Sequence, residues 1–201
     1  MMNVEAELDA PAMAGPGADP GGRHDPEVLR LPARALLLVA GVPGAGKTTM
    51  LAHVDTRGSK VLDADPIRAR RARRLGRLPY RLWRPLVHGE HYLRVLLALP
   101  GPDGLVVHEP GTRGWMRRLL LRCAARSGRS AHLLLLDVTL DEALAGQRQR
   151  RRMLHRSAFG RHWRRWLALR PRADRLTEEG WSSVRLLDRA AADRLRRIET
   201  G

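Results

Sequence analysis

Leu36-Leu37-Leu38-Val39-Ala40-Gly41-Val42-Pro43-Gly44-Ala45-Gly46-Lys47-Thr48-Thr49-Met50-Leu51 reads as a buried strand, a glycine-rich turn and the start of a helix, in that order. Gly41, Gly46, Lys47 and Thr48 satisfy G-x-x-x-x-G-K-[ST] at every fixed position. Glycine lets the backbone curl until its N–H groups converge on phosphate oxygens, and the helix that follows adds the positive end of its dipole. Residues Gly41, Val42, Pro43, Gly44, Ala45, Gly46, Lys47, Thr48 and Thr49 are therefore the expected nucleotide cradle. Lys47 reaches toward the β- and γ-phosphates, and Thr48 offers a hydroxyl to Mg²⁺. The pattern implies ATP as ligand. It does not say what becomes of the γ-phosphate.

The 201 residues suit one domain with a substantial core. No apolar run is long enough to cross a bilayer, the N-terminus has acids at Glu5, Glu7 and Asp9 in place of a basic leader, and Cys123 is the single cysteine. These features exclude an intrachain disulfide and point to a cytoplasmic protein without a membrane partner. The formal charge is +16, carried by thirty-five arginines and two lysines, Lys47 and Lys60. Part of this skew fits a GC-rich coding sequence, but the charge still favours anionic partners.

Outward from the quoted stretch, residues 1–33 are rich in Pro, Gly and Ala and read as a disordered arm; 34–201 read as the folded domain. Val61-Leu62 form a short second strand ending in Asp63 and Asp65, each placed either to cap the next helix or to face a ligand at the sheet's carboxyl edge. Arginines crowd residues 68–84, as a solvated face or as a wall toward an anionic substrate. Residues 86–99 read as an amphipathic helix with Leu86, Val87, Leu93, Leu96 and Leu97 on its apolar side and His88 and His91 at the surface or an interface, not as metal ligands. Leu105–Glu109 and Ala131–Val138 make the third and fourth strands, and Ser183–Asp188 the fifth. The segment 145–172 is too basic to read as core and sits where a lid closes; 189–199 reads as a terminal helix. Alternating strands and helices predict a three-layer α/β fold: a five-stranded parallel sheet, helices on both faces, and an arginine-rich lid.

With these residues the chain resembles the small P-loop kinases, in the AAA-type branch that includes zeta toxins, polynucleotide kinases and gluconate-type kinases. The likeness spans about residues 34–200. It rests on Gly41–Thr48, on the D-x-x-R formed by Asp65-Pro66-Ile67-Arg68, and on the arginine-rich Gly146–Arg152. His108–Arg113 and Glu179-Gly180-Trp181 are similar to stretches in uncharacterised actinobacterial members. The resemblance implies Asp65 as the base for an acceptor hydroxyl and Arg68 as its phosphate partner. It implies Arg148 and Arg152, with Arg150 next, as lid arginines on the transferring phosphoryl group. Strand three ends in His108-Glu109 without a Walker B aspartate, which leaves Glu109 as a metal-linked, water-orienting or merely capping residue.

Three functions follow as expectations: a kinase moving the γ-phosphate to an alcohol, a nucleic-acid-binding protein or polynucleotide 5′-hydroxyl kinase, and a regulatory ATPase. Trp163 and Trp166 motivate the second through base stacking, although no nucleic-acid motif accompanies them. The acceptor and the oligomeric state are not encoded in any motif.

Overall fold

The computed structural model describes residues 28–149 and 153–201. Its centre is a five-stranded parallel sheet flanked by helices. The strands are β2 (Leu36–Ala40), β3 (Ser59–Leu62), β4 (Gly104–His108), β5 (Ala131–Leu136) and β6 (Ser183–Leu187), in the order β3-β4-β2-β5-β6. β2 and β5 are buried at every position, as expected of continuous Leu and Val runs covered on both faces. The chain leaves β2 toward one edge and later returns past it toward the other. The switch point of the sheet therefore falls beside β2, directly above the glycine-rich loop.

The helices are α1 (Lys47–His53), α2 (Ala64–Leu75), α3 (Tyr80–Ala98), α4 (Gly114–Arg126), α5 (Leu140–Gln149), α6 (Arg156–Leu169) and α7 (Arg189–Arg194). β1 (Val28–Leu31) and β7 (Arg197–Thr200) form a separate parallel pair that joins the two ends of the described chain. Leu29, Leu31 and Ile198 carry this pair into the main core.

Four expectations change. Residues Val28–Leu31, assigned to the arm, form β1; the rest of that assignment up to residue 27 lies outside the described residues. The expected terminal helix stops at Arg194, because Leu195 turns to an extended backbone and Ile198 packs inward from β7. In α3 the buried face is Trp83, Val87, His91, Val95 and Ala98, whereas Leu86, Leu93, Leu96 and Leu97 are exposed. This helix is apolar on both sides, so periodicity alone could not choose its inner face. Last, α6 is a core helix. Phe159, Trp163, Trp166 and Leu169 are buried on one face and the arginines stand on the other. Net basicity masked a stripe with ordinary helical spacing.

Candidate functional site: a phosphate cradle and two flanking cavities

Gly41, Gly44 and Gly46 have φ values of 148, 93 and 93°, backbone that a side chain would strain. Lys47 is buried and folds its ammonium back over the loop, donating to the Gly41 carbonyl at 2.7 Å and the Val42 carbonyl at 3.0 Å. The loop is thereby held curled around a positive charge at the N-terminus of α1.

α5 seats directly against this loop. A Cβ on Gly44 would stand 2.0 Å from the Ala143 carbonyl oxygen, and one on Gly146 would stand 2.2 Å from the Gly44 oxygen. Gln147, also buried, donates to the Pro43 carbonyl at 3.3 Å and accepts from the Leu154 amide at 3.0 Å. Gly146 is thus a contact glycine as well as part of the basic run. Gly146→Val is expected to push α5 off the loop, lowering Tm and weakening binding of a fluorescent ATP analogue at least about tenfold, since overpacking costs roughly 1–3 kcal/mol. An unchanged affinity would show that α5 does not brace the cradle. On the opposite side the Arg189 guanidinium crowds Gly46, 2.8 Å from where a Cβ would sit.

Two acids end the strands beside the cradle. Asp63 caps α2, accepting from the Asp65 amide at 3.0 Å, and its Oδ2 lies 3.0 Å from His108 Nδ1 at the end of β4. Burial works to raise the Asp63 carboxyl, but His108, the Asp65 amide and His91 outweigh it and hold it below the usual range. Asp63 shares a cavity of about 390 Å³ with Thr48 and His91. Glu109, just after β4, is 8% exposed and accepts a 2.6 Å hydrogen bond from the Tyr92 hydroxyl. Burial drives its carboxyl above the usual range, partly opposed by Tyr92 and by the charges of His108, Lys47 and Arg113. Glu109 opens onto a second cavity, about 280 Å³, whose wall includes Arg84, His88, Tyr92, Arg113 and His162.

The loop that presents Glu109 is clamped from below. Arg117 is buried, donates to the Gly111 carbonyl at 2.9 Å, and grips both oxygens of Glu179 at 2.7 and 3.0 Å. Gly111 has φ of 66°, and a Cβ there would meet the Ala40 Cβ at 2.4 Å. Gly180 ends the following turn with φ of 108°, and Trp181 is buried. The late Glu179-Gly180-Trp181 stretch therefore anchors the site loop.

His91 and His162 are pushed down to about 4, in each case chiefly by burial. A lowered histidine stays neutral in the fold while the unfolded chain takes up a proton below about 6.5. Stability contributed by their neutral forms is complete above that pH and falls as pH drops toward 4. Urea unfolding should show this loss, and His91→Gln or His162→Gln should flatten the slope. Equal slopes in all variants would contradict it.

Lys47, Thr48, Asp63 and Glu109 come together at this edge. Asp65 stands in the first turn of α2, and Arg68 lies over the Tyr80 ring at 4.6 Å; neither lines the two cavities. Arg148 is exposed in the last turn of α5, whereas Arg150 and Arg152 lie outside the described residues. His91, expected at the surface or an interface, is buried, and His88 is half-buried in the cavity wall. Trp163 and Trp166 are 7% and 1% exposed, which removes them as stacking platforms. Among the described residues no group of three or more His, Cys, Asp or Glu side chains is arranged to hold a metal, and no helix is long and apolar enough to cross a membrane. Sequence reasoning missed Gln147, Arg189, Tyr92 and the Arg117–Glu179 clamp, because each acts across a long separation that leaves no local pattern.

The comparisons agree with this architecture. A protein of the PezAT chromosomal toxin–antitoxin system of Streptococcus pneumoniae superposes with a TM-score of 0.58 at 12% identity, covering 83% of this chain and 70% of that one. A gluconokinase from Sinorhizobium meliloti gives 0.48 at 14% identity, covering 81% and 88%. No curated protein sequence matches. The family profile described as AAA domain matches residues 36–176, from the first residue of β2 to beyond α6. The chain has a P-loop fold and belongs to the AAA domain family.

Proposed function

We propose that this protein is a phosphotransferase that moves the γ-phosphate of ATP to a hydroxyl of an acceptor. One observation carries the reading: the cavity behind Glu109 adjoins the cradle, since Pro110 in its wall accepts from the Gly41 amide of the loop at 3.1 Å. A donor cradle with a separate walled cavity beside it suits transfer better than hydrolysis, which requires only water.

The positive-φ glycines and the buried Lys47 fit a polyphosphate. Thr48, sharing a cavity with Asp63, fits Mg²⁺ held largely through water; Glu109 is turned to the other cavity and bonded to Tyr92, which argues against the metal role expected for it. When bound, Mg²⁺ supplies charge neutralisation at the phosphate oxygens.

Backbone N–H groups of Gly44, Gly46, Lys47 and Thr48 and the Lys47 ammonium hold the donor. The acceptor oxygen bonds to the γ-phosphorus as the bond to the β–γ bridging oxygen breaks, and ADP leaves. Glu109 takes the hydroxyl proton, with Tyr92 fixing its orientation. Arg148, at the exposed end of α5, supplies a guanidinium to the transferring group, together with Arg150 and Arg152 of the same basic run. The resemblance assigned the proton to Asp65; its absence from both cavity walls favours Glu109. Glu109→Gln and Asp65→Asn, each assayed for label transfer from γ-labelled ATP and for ATP-analogue affinity, separate the two. Loss of transfer in the Asp65 variant alone, with nucleotide affinity intact, would return the base to Asp65.

A further inference from the structure

The cavity behind Glu109 holds more positive charge than its carboxylate answers. Arg84 and His88 reach it from α3, Arg113 from the loop after β4, and His162 from α6. Among the described residues Glu109 is the only carboxylate in its wall. The Arg84 Nε donates to His88 Nε2 at 3.2 Å, which fixes that nitrogen as an acceptor and leaves the rest of the guanidinium fork without a carboxylate. The Arg113 guanidinium has no hydrogen-bond or ion-pair partner among the described residues. Burial lowers the His88 and His162 imidazoles, and both guanidiniums lower them further.

Two further polar atoms await a partner. Thr112, 7% exposed, lines the cavity with its hydroxyl buried and unpaired, and His162 Nδ1 is buried and unpaired as well. Buried polar atoms are rarely left unsatisfied, and both of these belong to residues of the cavity wall. Two guanidiniums, a hydroxyl and an imidazole are a donor set for oxyanions. They would repel a cation and gain little from a neutral polyol.

We propose that this cavity binds a carboxylate or phosphate group of the acceptor, so that the substrate is a compact hydroxylated anion rather than a neutral sugar or a cationic aminoglycoside. The anion rests between Arg84 and Arg113, and the hydroxyl is turned to Glu109. The volume of about 280 Å³ suits a small metabolite. The assignment of the hydroxyl rests on the phosphotransferase reading; the anion site itself does not.

The test has two arms. In the first, the protein is saturated with Mg²⁺ and a non-hydrolysable ATP analogue to fill the cradle, and inorganic sulfate is titrated by calorimetry. Saturable binding is expected, weakened about tenfold or more by Arg84→Gln and by Arg113→Gln and partly restored by Arg84→Lys. Circular dichroism checks that each variant is folded. No saturable sulfate binding, or binding indifferent to both variants, overturns the anion site.

In the second arm, γ-labelled ATP is offered with glycerol, glycerate and glycerol 3-phosphate, with glucose, gluconate and glucose 6-phosphate, and with kanamycin. Label on the acids or on the sugar and glycerol phosphates supports the proposal and tells carboxylate from phosphate. Label on glycerol, glucose or kanamycin with none on their anionic counterparts overturns it. Sulfate binding with no label in any tube upholds the anion site and counts against the phosphotransferase reading.

Discussion

Glu109→Gln is expected to stop phosphoryl transfer while making the fold more stable. The two effects share one cause. Glu109 is 8% exposed and its carboxyl is raised by burial, so its ionised form sits in a place that disfavours charge. The sign follows from linkage. A carboxyl whose folded pKa lies above its unfolded value favours folding at low pH, and that contribution is lost as pH rises through the unfolded and then the folded value. Glutamine keeps the shape, its oxygen still accepts from the Tyr92 hydroxyl, and it carries no charge. Tm at pH 7 should therefore rise, and the gain should shrink as pH falls toward 4. Transfer should fall by about 10²–10⁴, the range for loss of a general base, with ATP-analogue affinity within about twofold of the parent. A variant that keeps its turnover would remove Glu109 from the chemistry. A variant that loses Tm at pH 7 would show that ionised Glu109 is a net stabiliser through Tyr92, His108 and Lys47.

The second large effect is expected at the opposite end of the sheet. Arg129, 5% exposed, precedes β5 and donates to a ring of backbone carbonyls: Leu99 at 2.5 Å, Gly101 at 2.6 Å, Arg34 at 2.7 Å, Asp103 at 2.8 Å and, at the limit, Ala98 at 3.5 Å. One guanidinium thus closes the C-terminus of α3, the turn into β4 and the entry to β2. Arg129→Met leaves those carbonyls without their donor and is expected to cost about 3–5 kcal/mol in urea unfolding. Arg129→Lys should recover part of the loss, since an ammonium has three donors but no planar fork. ATP-analogue affinity, measured well below the midpoint, should not change, because the ring lies at the amino ends of the strands. A Met variant within about 0.5 kcal/mol of the parent would mean that water replaces the guanidinium freely.

The donor half of the site was legible because it is local. Gly41–Thr48 carries loop, lysine and helix start in consecutive residues, and the structure keeps that order with Lys47 folded over the loop. The central strands β2, β4 and β5 were legible for a similar reason, each an apolar run bounded by turn residues, and the edge strands β3 and β6 keep the pairs Val61-Leu62 and Leu186-Leu187. What failed was non-local or two-sided. β1 and β7 are four residues each, at opposite ends of the described chain, and neither shows a pattern until it is paired with the other. α3 is apolar on two faces, and only the packing of Trp83 and Val87 with Ile67, and of Val95 into the main core, decides which is inside. In α6 eleven consecutive positions mix core aromatics with arginines, so composition outweighed spacing. The cavity beside Glu109 was the least legible part. Its wall comes from α3, the loop after β4, and α6, and the histidines that face it carry no motif.

The most direct test of phosphotransfer is a balance sheet for the γ-phosphate. The protein is incubated with γ-labelled ATP, Mg²⁺ and a fractionated metabolite pool, and labelled products are separated from inorganic phosphate while ADP is counted. The account predicts label in a small acceptor, matched one for one by ADP, and neither in Glu109→Gln. Label found only as inorganic phosphate, at the same rate with and without the metabolite pool, would contradict it and identify a hydrolase.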